Sequence, residues 1–287
     1  CAARRAAVTA ANLVDNVLPC VPFRQWTLAF PRGLKFALVM DSSLLSAALR
    51  AFVKAIFTLQ RRRAKQLGIK GARPGAIAFV QYFTSALLLH PHAHVLVPDG
   101  VFHGEGDFCG LPPPEDEEVE KLLRKVAVRV LKLAQARFPD GLPYAEDAKA
   151  VLSVASVQTR LPLEEEGWPP KARRRCAFLE GFSLHADTWV HENDRESLER
   201  LARYGARGPM ALNRLKLRED GKVEYRLKRP MAGGSTALVM TPVQLLKRLC
   251  ALVVKPRIHL TRFFGVFAPN SSARALVVPS PAPEVPG

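Results

Sequence analysis

Apolar and polar positions along this chain follow two periods, and the switches between them mark out the elements. Residues 2–18 read as a short helix closed by Pro19. From Phe23 to Phe30 the period falls to two, setting Phe23, Gln25, Thr27 and Ala29 against Arg24, Trp26, Leu28 and Phe30 as the faces of a strand. Asp41-Ser42-Ser43 caps an amphipathic helix over Leu44–Leu67, which ends in a basic run and is stopped by Gly68 and Gly71. A strand over about Ala76–Ser85 follows, then an apolar run, Ala93-His94-Val95-Leu96-Val97, with Asp99-Gly100 as a turn signal after it. Past Pro112-Pro113-Pro114, the acidic stretch Glu115–Glu118 suits a helix N-terminus. Leu122, Leu123, Val126, Val130, Leu131 and Leu133 continue that helix to about Phe138.

The segment 139–175 is mixed and rich in turn residues, an irregular insertion predicted to hold one strand around Val151–Thr159. Regular patterning resumes with a strand over Phe182–Val190 and a helix capped by Asn193-Asp194, carrying Leu198, Leu201 and Tyr204 and broken near Gly205–Pro209. Arg214–Leu217 and Val223–Leu227 flank Glu219-Asp220-Gly221 as a hairpin. A strand over Thr236–Met240 leads to Thr241-Pro242, an N-cap with proline at N1, and a helix over Val243–Val253. Strands and helices mix without a repeating strand-helix-strand unit, so the predicted class is α+β. Residues 1–21 form an N-terminal helical segment, 22–278 the main domain, and the proline-rich 279–287 a tail without predicted structure.

Composition narrows the function. The 287 residues are 48% hydrophobic and 24% charged, the profile of a globular protein. Lys and Arg total 42 against 26 Asp and Glu, a net charge of +16 and a sequence pI near 10.1. That is the electrostatic footprint of a nucleic-acid binder, whose cations displace counterions from phosphates. A generic basic protein or a binder of anionic membranes is the competing reading. No stretch approaches 18 uninterrupted apolar residues, and no secretory signal opens the chain, so no membrane partner is expected. The five cysteines are scattered, with no CxxC pair, which fits a reducing compartment.

Candidate chemistry centres on His92-Ala93-His94. On a strand these two side chains share a face, with Cα atoms roughly 6.5–7 Å apart, close enough to converge on one cation. Two neutral imidazoles and a harder third ligand suit a divalent metal that keeps positions open for substrate; a pair decorating a surface strand is the plain alternative. A metal beside a basic, DNA-binding surface suggests phosphoryl transfer, which needs water or a side chain as nucleophile. Of the four tyrosines, Tyr204 stands out, with Arg200, Arg203 and Arg207 near it in sequence to hold phosphates and favour a phenolate.

Several segments then resemble one family in order. Gln81-Tyr82-Phe83-Thr84-Ser85-Ala86-Leu87 through His92-Ala93-His94-Val95-Leu96-Val97-Pro98-Asp99-Gly100-Val101-Phe102 looks like the HUH motif of rolling-circle transposases of the IS-ninety-one and insertion-sequence-common-region type. Gln25-Trp26-Thr27-Leu28-Ala29-Phe30-Pro31, Gly181-Phe182-Ser183-Leu184-His185-Ala186, Arg203-Tyr204 with Arg207-Gly208-Pro209, Tyr225-Arg226-Leu227-Lys228, and His259-Leu260-Thr261-Arg262 extend the likeness to about residue 278.

The resemblance implies an HUH endonuclease core, a central antiparallel sheet with flanking helices. It implies Mg²⁺ or Mn²⁺ held by His92, His94 and a third polar ligand, with Gln81 first choice and His185 second. Tyr204 would attack single-stranded DNA at element ends, leaving a 5′-phosphotyrosine and a free 3′-OH. Arg200 stands where some relatives carry a second tyrosine, so the likeness is to the single-tyrosine branch. Arg61, Arg62, Arg63, Arg203, Arg207, Lys228 and Arg262 are the expected DNA contacts. Trp26, Trp168, Trp189, Phe263 and Phe264 are stacking candidates that also suit core packing. Relatives begin with a cysteine-rich zinc-binding module; Cys1 resembles its last cysteine, so zinc is expected only in that preceding part. A bacterial cytoplasmic, nucleoid-associated enzyme without a small-molecule substrate is the implied setting, and a DNA-binding remnant without turnover is the rival.

Overall fold

A computed structural model describes residues 2–143, 174–231, 233–254 and 258–279. The predicted strand at Val151–Thr159 lies outside the described residues, as do Cys1, Trp168 and most of the tail. The fold is α+β, a large antiparallel sheet flanked by helices. Its six strands run in the order β11 (Thr261–Gly265), β2 (Gly75–Phe83), β3 (Leu89–Pro98), β1 (Phe23–Ala29), β7 (Phe182–Val190) and β6 (Cys176–Leu179). Every neighbouring pair is antiparallel. Strand β3, which carries His92 and His94, is therefore interior, paired on both edges.

Alternation gives the sheet two different faces. Ala76, Ala78 and Val80 of β2 and Val95 of β3 pack against α3 (Ser42–Gln66) and α4 (Asp116–Arg137). Ile77 and Phe79 of β2 and Leu96 of β3 point the other way, to α1 (Ala2–Asn16) and α5 (Arg195–Ala206). Each fully buried Leu or Phe contributes about 1.5–3 kcal/mol, so both faces hold helices. Arg195, at the start of α5, donates to the carbonyls of Leu18 (2.7 Å) and Pro19 (3.0 Å) just past α1. That contact satisfies helix-end acceptors and fixes where α5 begins.

Helix ends follow local signals. Asp41 accepts from the Ser43 and Leu44 amides at 2.8 and 3.1 Å; Glu115 with Glu118, and Thr241 with Gln244, form capping boxes for α4 and α6 (Pro242–Ala251). Against α6 lies a small sheet of β8 (Leu215–Leu217), β9 (Val223–Arg226) and β10 (Ala237–Met240), sharing a cluster with Phe83 and Leu87.

The structure also departs from the patterns. Asp99 is a bend just after β3, as the turn signal predicts, but Gly100 at once opens a further strand, β4 (Gly100–His103), which pairs with β5 (Asp107–Gly110). Asp99 accepts two bonds from the buried Arg24, at 2.9 and 2.6 Å, and that ion pair holds the bend in place. α2 (Lys35–Met40), β6, β11 and α7 (Arg274–Val277) were not anticipated, being too short for a period to show. α3 is long and apolar enough to cross a membrane by length and composition, although Arg50 and Lys54 interrupt its apolar run. Here Leu45, Leu49, Phe52, Val53 and Ile56 are buried in the core, so its apolarity serves the sheet.

Candidate active site

β3 presents His90, His92 and His94 on one face, with ring centroids 5.5 Å apart for the first pair and 5.0 Å for the second. His92 Nδ1 lies 2.8 Å from the His90 carbonyl. A carbonyl only accepts, so Nδ1 carries the proton and Nε2 is left with its lone pair. His94 Nδ1 meets Thr27 Oγ1 on β1 at 3.1 Å, while its Nε2 is buried with no partner among the described residues. Burial pushes His94 down to about 3, with the charges of His92 and Arg207 adding to it. Burial also lowers His92, against the bond to His90, and takes His90 down to about 3. All three imidazoles are therefore neutral at physiological pH, the state in which a ring nitrogen binds a metal.

Gln81 on β2 is the direct cross-strand neighbour of His92 and is 1% exposed. Its amide donates to the Tyr204 and Gly205 carbonyls at 2.7 and 2.9 Å, capping the last turn of α5. That leaves Gln81 Oε1 buried and without a partner among the described residues. His92, His94 and Gln81 come from adjacent strands, and imidazole nitrogen and amide oxygen are atom types that could hold a small divalent cation. Among the described residues no three His, Cys, Asp or Glu side chains converge on a metal position, and a ligand set here needs the glutamine.

Tyr204 stands edge-on to His94, ring centroids 5.3 Å apart, and is 37% exposed. Arg207 lies over its ring at 4.3 Å and donates to the phenolic oxygen at 3.3 Å; Lys228 Nζ sits 5.6 Å from the ring. Gly205 makes this approach feasible. A Cβ there would meet Phe79 Cδ2 at 2.5 Å and Cγ at 2.6 Å, so only glycine lets α5 lie this close to the sheet.

The other expected site residues are distributed differently. Arg203 turns to Glu199 (3.7 Å) and Arg200 to Glu196, away from the phenol. His185 is level with His94 across the sheet but on the far side of Thr27, two strand spacings or roughly 10 Å away. Its Nδ1 lies 3.0 Å from Cys176 Sγ. Arg262 reaches Ser46 of α3 at 2.7 Å, on the opposite sheet face. Arg61 covers Phe57, and Arg62 and Arg63 meet Glu118 at 2.7 and 3.6 Å. Trp26 is 4% exposed in the core, whereas Trp189 is 45% exposed. Thr27, His90 and Gly205 were missed as site residues. Thr27's alternation was visible, but the register that sets it beside His94 was not.

The sequence model of a family described as "Putative transposase" matches residues 75–275, more than half of the chain, from β2 into α7. The matched span contains Gln81, His92, His94 and Tyr204. No curated protein and no solved structure matches the chain.

Proposed function

Because the chain belongs to the Putative transposase family, we propose that it nicks and rejoins single-stranded DNA at element ends during rolling-circle transposition, with Tyr204 as nucleophile. The observation that carries this reading is the approach of the Tyr204 ring to His94, whose Nε2, like Gln81 Oε1 on the neighbouring strand, is buried without a partner among the described residues. A buried polar atom without a partner costs roughly 1–3 kcal/mol, and a shared ligand would remove that cost. His92, His94 and Gln81 would hold Mg²⁺ or Mn²⁺, which would supply Lewis-acid stabilisation of charge on the scissile phosphate.

The protein's own groups account for the remaining steps. The phenolic oxygen of Tyr204 forms a bond to phosphorus as the bond to the 3′ oxygen breaks. The products are a 5′-phosphotyrosine and a 3′-OH, the phenolic proton being lost and the 3′ oxygen gaining one. Arg207, above the ring and donating to the phenolic oxygen, is placed to hold phosphate oxygens. Lys228 adds positive charge at the same edge. The neutral imidazoles stay ligands, and the Gln81 amide holds the nucleophile's backbone. The phosphotyrosine keeps the bond energy for rejoining to a 3′-OH.

The test incubates the chain with Mn²⁺ and a pool of single-stranded oligonucleotides that includes candidate element ends, followed by denaturing gels. A metal-dependent protein–DNA adduct is expected, and Tyr204→Phe should abolish it. Cleavage persisting in Tyr204→Phe would replace this mechanism with hydrolysis by activated water. DNA binding without an adduct over the whole pool would leave a remnant without turnover.

A further inference from the structure

α3 and α4 lie antiparallel on the sheet face opposite Tyr204. Their ends are pinned by Arg62 to Glu118 at one end and Arg137 to Asp41 at the other. Between them runs a groove floored by Ala47, Ala51, Ala55, Leu122 and Val126. The small residues at 47, 51 and 55 recur every helical turn and keep it open. Its walls are cationic: Arg50, Lys54 and Arg62 along α3, and Lys121, Lys125 and Arg129 along α4. Arg124 and Lys132 extend the charge over the outer surface of α4.

The sign is not balanced locally. α3 contains no Asp or Glu over its 25 residues, and α4 contains none after Glu120. Arg50, Lys54, Arg124, Lys125, Arg129 and Lys132 are exposed and take no ion-pair partner among the described residues. Two helices that hold this many like charges within a few ångströms of one another are disfavoured when alone and favoured against an anionic partner. At 1.5 Å per residue the α3 row is roughly 18 Å long and the α4 row roughly 12 Å. With one phosphate per ~3.4 Å along each strand, that length matches about four or five phosphates of a duplex strand.

From this we infer that the α3–α4 groove is a second DNA-binding face that holds duplex DNA by its phosphate backbone while single-stranded DNA occupies the Tyr204 face. The sheet and a helical layer separate the two, so one short strand cannot contact both. The groove's one acidic lining residue, Glu118, is taken up by Arg62 at the groove's end, and the other charged side chains along it are cationic; such contacts set position without reading bases. The inference needs DNA binding by the family but not the phosphotyrosine chemistry.

The experiment measures binding of a fluorescent 30-base-pair duplex from 50 to 200 mM salt, without metal, for wild type, Tyr204→Phe and the combined Lys54→Ala, Lys125→Ala, Arg129→Ala variant. These three positions are exposed on helices and alanine suits them, so folding is preserved and is checked by circular dichroism. The variant should bind the duplex more weakly, with a log–log salt slope shallower by about 2.7, roughly 0.9 for each lost phosphate contact. Tyr204→Phe should bind like wild type, so failure of the nuclease reading leaves this result standing. A short single-stranded oligonucleotide at saturation should not displace the duplex, and the triple variant should keep any adduct formation on that oligonucleotide. An unchanged slope, or full displacement by the single strand, would overturn the inference. Binding of phosphatidylserine vesicles through these three residues, with no effect on duplex binding, would overturn it in favour of a membrane surface.

Discussion

Gly205→Ala isolates the geometry of the site from its chemistry, because glycine 205 touches no substrate. The new methyl would stand 2.5 Å from Phe79 Cδ2 and 2.6 Å from Cγ, where carbon atoms rest about 3.5–4.0 Å apart. Phe79 is 1% exposed in the interior of the sheet and cannot retreat. The last turn of α5 must therefore move outward by about 1 Å. That shift stretches the bonds from Gln81 to the Tyr204 and Gly205 carbonyls, now 2.7 and 2.9 Å, beyond hydrogen-bond reach. It also draws the Tyr204 ring away from His94. Stability falls moderately. Alanine gains about 1 kcal/mol of helix propensity, against about 1–3 kcal/mol of overpacking and about 1–3 kcal/mol for the buried Gln81 amide left without acceptors, a net loss of roughly 1–5 kcal/mol. Function should fall as well, since misplacement by ~1 Å costs about 10²-fold. The expected outcome is a folded protein whose adduct forms about a hundredfold more slowly with Mn²⁺ and single-stranded DNA. Adduct formation at the wild-type rate, with the melting temperature also unchanged, would refute the argument that this glycine sets the distance.

Two further substitutions probe other links. Thr27→Val keeps volume but removes the oxygen beside His94 Nδ1, and Mn²⁺ affinity measured calorimetrically should fall by about 10–100-fold, the usual effect of losing a ligand's outer partner. Asp41→Ala removes the cap of α3 and should cost about 1 kcal/mol by urea denaturation. Burial alone would raise the Asp41 carboxyl, but bonds from Ser43, Arg137 and the Leu44 and Ser43 amides outweigh it and hold the group well below its usual range. A depressed carboxyl contributes fully above its unfolded value of about 4 and loses that contribution as pH falls through the folded value. The stability gap between wild type and Asp41→Ala should therefore be constant above about pH 5 and narrow toward pH 2; a gap that widened on acidification would contradict the carboxylate's role.

What could be seen in advance follows from how local each signal is. Asp41, Glu115, Asp194 and Thr241 announce helix starts because a cap and its amides lie within three residues of each other. The Phe182–Val190 strand shows its bounds by alternation alone. β11 has five residues and exists because β2 offers an open edge, which is information from 182 to 190 positions earlier in the chain. At the site, two histidines sharing a face follows from the pleat. The register that puts Thr27 opposite His94, and Gln81 opposite His92, depends on the whole sheet. Arg203 lies beside Tyr204 in sequence but meets Glu199 rather than the phenol, because adjacent residues on a helix point about 100° apart. Arg207, three residues on, shares the face and makes the contact.

The amide of Gln81 grips the backbone carbonyls of Tyr204 and Gly205 from an interior region of the sheet. A tyrosine fastened that way has no swing. If one such residue serves both the cutting and the joining of strands, the travelling component is the DNA: loose ends must be carried past a stationary anvil, and the timing of exchange belongs to the polymer rather than to the enzyme.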